Sequence, residues 1–123
     1  MVEIDPKDPH KRAKKHTALG RYRHENIAMR VERGRKLVAY LGDDRRGGHV
    51  WKFVSEGRVR HEKDDANSHL FEAGTLYAAR FNANGTGTWI PLTLATPTNP
   101  NVPSELGSAE FAARGAVDRD AGT

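Results

Sequence analysis

The chain has 123 residues, a formal net charge of +4 and no cysteine. That length suits one ordinary domain, and the lack of cysteine excludes disulfides and thiolate metal sites within these residues. Leu, Ile, Val and Phe total 23 residues, just under the roughly 20% level below which a globular core becomes doubtful, so a real but meagre core is expected, one that needs more chain around it.

In chain order, Val2 to Ile4 reads as a short strand ended by Asp5-Pro6. Asp8-Pro9 makes a second break, so residues 5 to 15 read as an exposed loop. This loop holds the densest basic cluster, Lys11-Arg12-Ala13-Lys14-Lys15. Such a cluster can be a phosphate or nucleic-acid footprint or a solvated linker. The second reading is favoured, because no aromatic residue is interleaved for base stacking. Met1-Val2-Glu3-Ile4 leads directly into this charged segment without an apolar signal core, so the chain as written is expected to stay in the cytoplasm. No apolar run approaches the length of a membrane span.

Ile27, Met29 and Val31 alternate with small or charged residues, which is the period-two pattern of a half-buried strand. Arg33-Gly34-Arg35 supplies a hairpin turn, and Lys36 to Leu41 supplies the returning strand. Gly42 to Gly48 is a polar turn, and His49 to Val54 is a third strand in a possible three-stranded meander. Gly57 to Ala73 is charged and irregular, with Leu70-Phe71 anchoring it to the sheet. Gly74 to Phe81 and Thr88 to Leu92 read as two further strands joined by Asn82 to Gly87. Within that turn Asn84-Gly85 tolerates positive φ and is a strong hairpin signal. Trp51 and Trp89 are read as core residues. After a proline-rich connector, Ser104 to Arg114 reads as a short C-terminal helix capped by Ser104.

Two clusters of short strands joined by a long excursion suit propeller blades, which keep their hairpins and turn glycines while diverging in sequence. A blade takes roughly 40 to 45 residues. The expected fold is therefore mainly β, about two blades of a β-propeller with a short C-terminal helix. Two blades cannot close a ring, so the exposed edges would invite pairing with other chains.

Three acidic positions stand at strand ends. Glu25 sits beside His24 where a loop becomes a strand, and Asp43 and Asp44 follow Gly42 at the end of the next. Carboxylates gathered by neighbouring strands offer hard oxygen ligands suited to calcium or ferric iron. They can equally be a surface charge at a strand start and a self-capped turn. Arg45 and Arg46 can clamp phosphate or neutralise the two aspartates. No Gly-rich phosphate loop, nucleophile elbow or zinc spacing is present.

Several ordered blocks resemble the PhoX-type alkaline phosphatase family. They are Val2-Glu3-Ile4-Asp5-Pro6, Thr17 through Glu25, Tyr40-Leu41-Gly42-Asp43-Asp44, Trp51-Lys52-Phe53-Val54-Ser55, Gly74 through Phe81 and Gly85 through Leu92. The resemblance spans residues 2 to roughly 110. It implies an interior piece of a six-bladed propeller that hydrolyses phosphate esters at a cluster of calcium and iron ions. It also implies periplasmic or extracellular location of the full-length enzyme through twin-arginine export. By the same resemblance Glu25 matches a metal-ligand glutamate and Asp44 a calcium ligand, with Asp43 as a further candidate. The family's cysteine ligand is missing here, and Asp118-Arg119-Asp120-Ala121 lacks the proline and glutamate of the family's Asp-Arg-Pro-Glu block. The expectation is a partial propeller domain over 1–123, inactive alone, which pairs with a complementary propeller fragment. Its alternatives are a non-catalytic β-rich interaction module and, less favoured, a small basic nucleic-acid binder.

Overall fold

Apolar residues alternate along Leu37, Ala39 and Leu41 and again along Trp51 and Phe53, and in the computed structural model these two stretches lie at the centre of one antiparallel sheet. The structure describes residues 1–63 and 65–92. A short ribbon pairs β1 (Val2–Glu3) with β2 (Lys14–Lys15). The main sheet holds β3 (His24–Arg30), β4 (Lys36–Asp43), β5 (Val50–Arg58), β6 (Gly74–Phe81) and β7 (Gly87–Pro91). These five strands lie side by side in chain order, each antiparallel to the next.

The mainly β expectation holds, and the strand pairs fall where the alternation placed them. The two strand clusters, however, belong to one sheet. Residues between β5 and β6 leave the sheet and return to the adjacent position, with Phe53 opposite Leu76 and Trp51 opposite Ala78. Part of this excursion is a 3-10 helix, Asp65–Phe71. Its Leu70 and Phe71 pack against the core, as their position in the sequence suggested. The expected helix at Ser104–Arg114 lies outside the described residues.

Strand alternation sorts the sheet into two unlike faces. On one face Leu37, Ala39, Leu41, Trp51, Phe53, Leu76 and Ala78 are buried. This face is covered by the N-terminal segment through Leu19 and Tyr22, and by the 3-10 helix. The other face carries Tyr40, Lys52, Tyr77 and Trp89, with Tyr40 paired to Lys52 and Lys52 to Tyr77. Trp89 is therefore not a core residue. It is 37% exposed, its ring 4.4 Å from the Lys52 ammonium. The parity of its position on β7 turns it to the open face, which a reading of bulk hydrophobicity misses.

A buried hydroxyl manages one irregularity in the ladder. The β4–β5 register shifts between Lys36 and Val38. There the Leu37 amide donates to Ser55 Oγ at 2.9 Å, and that hydroxyl donates to the Gly57 carbonyl at 2.7 Å. Ser55 is fully buried, and both of its bonds replace ladder bonds that the bulge removes. At the other end of the sheet the β6–β7 hairpin closes through Asn82 and Thr86, with Gly85 at φ 82° as the Asn-Gly signal requires.

Candidate metal corner and adjoining groove

The end of the sheet where β3 begins and β4 ends gathers all three acidic candidates. His24 pairs with Asp43 across the ladder, and the next pair is Ile27 with Leu41. Glu25 and Asn26 thus oppose Gly42 alone, which makes a β-bulge at the position of Glu25. Beyond the ladder the Asp44 amide donates to the Arg23 carbonyl at 2.9 Å, so the two strand ends stay tied one residue past the last pair. Glu25 and Asp44 are exposed. Asp43 differs: both of its carboxylate oxygens are buried.

Several aromatic rings fix this corner. Tyr22 stacks on Trp51 with centroids 4.6 Å apart and interplanar angle 11°. His24 lies on the other side of Tyr22 at 3.9 Å. His24 Nε2 is 3.1 Å from the Gly20 carbonyl. A carbonyl only accepts, so that nitrogen carries the hydrogen and Nδ1 of the neutral ring keeps a bare lone pair. Gly20 itself has φ 86°, and a Cβ there would lie 2.8 Å from the Leu76 side chain, so only glycine can present this carbonyl.

Electrostatics follow from burial. Burial pushes the Tyr22 phenol well above its ordinary value, and the negative charge of Asp43 adds to the effect. Burial pushes His24 down, while the bond to Gly20 and the charge of Asp43 pull the other way. His24 Nδ1, both Asp43 oxygens, the Tyr22 hydroxyl and the Trp51 indole nitrogen find no hydrogen-bond partner among the described residues. Buried polar atoms are normally satisfied, so this concentration at one corner is informative.

Alongside the corner lies a groove of about 490 Å³ bounded by Met1, the Lys15–Thr17 and Gly20–His24 segments, and Arg45. Among the described residues no carboxylate lines it. Sequence reasoning reached Glu25, Asp43 and Asp44 but missed the groove, because its walls come from separate stretches of the chain. The pairing of β2 with β1, which carries Lys15 into the wall, was hidden in a segment read as loop.

The comparisons with known proteins bear on what this corner is. The family model for alkaline phosphatase PhoX matches residues 1–122. The chain belongs to the PhoX alkaline phosphatase family. Among solved structures, Pseudomonas fluorescens PhoX in complex with vanadate, a transition state analogue, matches with 40% sequence identity and a TM-score of 0.73. That match covers 91% of this chain and 20% of the Pseudomonas PhoX chain. The chain therefore spans about a fifth of the length of the PhoX structure it resembles, and its sheet is part of a PhoX propeller. Comparison with curated proteins gives no match.

PhoX membership raises the question of a metal centre. Hard carboxylate oxygens at one sheet corner are the right donor type for calcium. Calcium takes about six to eight oxygen ligands, and among the described residues no three His, Asp or Glu side chains form a group able to hold an ion. The residues present do not by themselves fit a complete site.

Proposed function

We propose that this chain is a portion of a PhoX-type phosphatase that hydrolyses phosphate esters at a calcium and iron centre, and that it contributes only some of that centre's ligands. Glu25 and Asp44 are assigned as calcium ligands, with Asp43 as a third carboxylate behind them. The observation that carries this reading is the tie between Asp44 and Arg23, which holds two exposed carboxylates at one corner of a sheet shared with PhoX. The buried, unpaired oxygens of Asp43 support it, because a cation nearby would offset the cost of leaving them without a partner.

On this reading the remaining ligands stand on other parts of a PhoX propeller, and the chain alone is inactive. The test is to mix purified chain with calcium, ferric iron and an aryl phosphate and to measure release of the phenol. Little or no turnover is expected. Vigorous hydrolysis abolished by Glu25→Gln would show that the chain carries a working centre by itself. The full-length enzyme is expected to act outside the cytoplasm. Among the described residues no helix is long and apolar enough to cross a membrane.

The open face of the sheet favours one partner. Tyr40, Val50, Phe81 and Trp89 are all substantially exposed. Propellers bury such faces between neighbouring blades, so a complementary PhoX fragment is the proposed occupant. Its binding would shield Trp89 from a soluble quencher, and unchanged quenching on mixing would count against it.

A further inference from the structure

The groove beside the acidic corner has a charge pattern that the metal reading does not use. Lys15, Arg21, Arg23 and Arg45 are among the residues that line this space of about 490 Å³, and so are His16 and His24. His16 is committed to Glu3, its Nε2 2.7 Å from the carboxylate. Lys15 and Arg23 are exposed and form no ion pair among the described residues. A volume of this size suits a small ligand rather than a long polymer. Converging cations in a concave wall concentrate anions, and arginine binds phosphate oxygens through paired donors.

The aromatic ring in the groove decides between two kinds of polyanion. Single-stranded nucleic acid is bound by stacking its bases on free aromatic faces. Tyr22 has none to offer, since Trp51 covers one face and His24 the other. The groove is thus able to grip phosphate groups but not bases. Its position adds a second constraint. His24 and Arg45, both in its wall, are the immediate chain neighbours of Glu25 and Asp44.

We propose that this groove binds a chain of phosphate groups, so that the substrate is a polyphosphorylated compound whose additional phosphates lie along Lys15 and Arg23. Binding to the groove stands on the groove's own charges, whereas its use by substrate rests on the phosphatase reading above. Lys15 and Arg23 would then be specificity residues that favour oligophosphates over simple monoesters.

The experiment is titration of the purified 123-residue chain with inorganic tripolyphosphate and, separately, with orthophosphate, in the presence of chelator. Calorimetry reads the affinity, and Trp51 beneath Tyr22 supplies a fluorescence signal at the site. Tripolyphosphate is expected to bind at least about tenfold more tightly than orthophosphate, as the charge-assisted hydrogen bonds to a second phosphate imply. Affinity should fall as salt is raised. Arg23→Ala and Lys15→Ala should each weaken tripolyphosphate binding by about tenfold, with far-ultraviolet circular dichroism unchanged. Arg60→Ala, beyond β5 at the opposite end of the sheet, should have no effect. Equal affinity for the two anions, or tripolyphosphate binding indifferent to both groove variants, would overturn the proposal. So would tighter binding of a single-stranded oligonucleotide than of tripolyphosphate. Because chelator is present throughout, a negative result here leaves the calcium reading standing, and loss of calcium binding leaves this result standing.

Discussion

His24 and Asp43 stand opposite each other at the end of the β3–β4 ladder, and both hold buried atoms that no described residue bonds. The sheet thus brings a bare imidazole nitrogen and a bare carboxylate to one corner, beside the exposed Glu25 and Asp44. A stability cost is implied, because a buried carboxylate without partners loses its hydration and gains nothing in return.

That cost predicts the effect of Asp43→Asn. In chelator, removing the charge should stabilise the chain by about 1–3 kcal/mol, because a buried amide without partners loses less hydration than a carboxylate does. Urea unfolding followed by tryptophan fluorescence measures it. With saturating calcium the order should reverse, since a cation that binds only the folded wild type stabilises it by mass action. A variant less stable than wild type in chelator would mean that Asp43 has a favourable partner in solution.

Stability should also depend on pH through His24. Burial lowers its folded pKa below the ordinary 6.5. Between the folded value and 6.5 the unfolded chain binds more protons than the folded one, so stability rises with pH across that interval. The contribution is complete above 6.5 and is lost as pH falls through the interval to the folded value. His24→Gln should flatten this part of the profile. An unchanged slope would assign the dependence to another histidine.

The covered face leaves little tolerance for added volume at Gly74. A Cβ there would run into the Phe53 ring and lie 2.5 Å from the Val54 carbonyl oxygen. Backbone on one side and a fully buried ring on the other cannot both yield. Gly74→Ala should cost about 1–3 kcal/mol, the usual range for overpacking, measured as a fall in the urea midpoint with unchanged m-value.

On the open face, Lys52 lies 4.4 Å from the Trp89 ring centroid and 4.8 Å from that of Tyr77. Burial lowers its pKa, in keeping with an ammonium held against rings rather than in water. Lys52→Met keeps the aliphatic stem and removes the charge. It should destabilise by about 0.5–1 kcal/mol, the range of an exposed cation–π pair. Retention of full stability would show that the stem, not the charge, makes the contact.

Much of the sheet could be read from the chain itself. The alternation of Ile27, Met29 and Val31, the glycine of Arg33-Gly34-Arg35 and the Asn84-Gly85 pair each encode a local event, and local events survive translation into structure. The joining of β5 to β6 could not be read in the same way. It depends on Phe53 meeting Leu76 across an irregular excursion, and no periodicity reports a contact between separated segments. Trp89 shows the limit of hydrophobicity, which favours covering a ring but does not say which face of the sheet the ring stands on. The acidic corner was reached through the family blocks. Its bulge opposite Gly42 and the burial of Asp43 depend on register, which composition does not carry.

Equilibrium calcium binding to the purified chain tests the central assignment most directly. Wild type should bind calcium weakly, with Kd on the order of 10⁻³ M as expected of a site with few protein ligands, and Glu25→Gln combined with Asp44→Asn should abolish it while the fold persists. Calcium affinity untouched by that double substitution, or no calcium uptake at tens of millimolar (roughly tenfold above the expected Kd), would contradict the assignment.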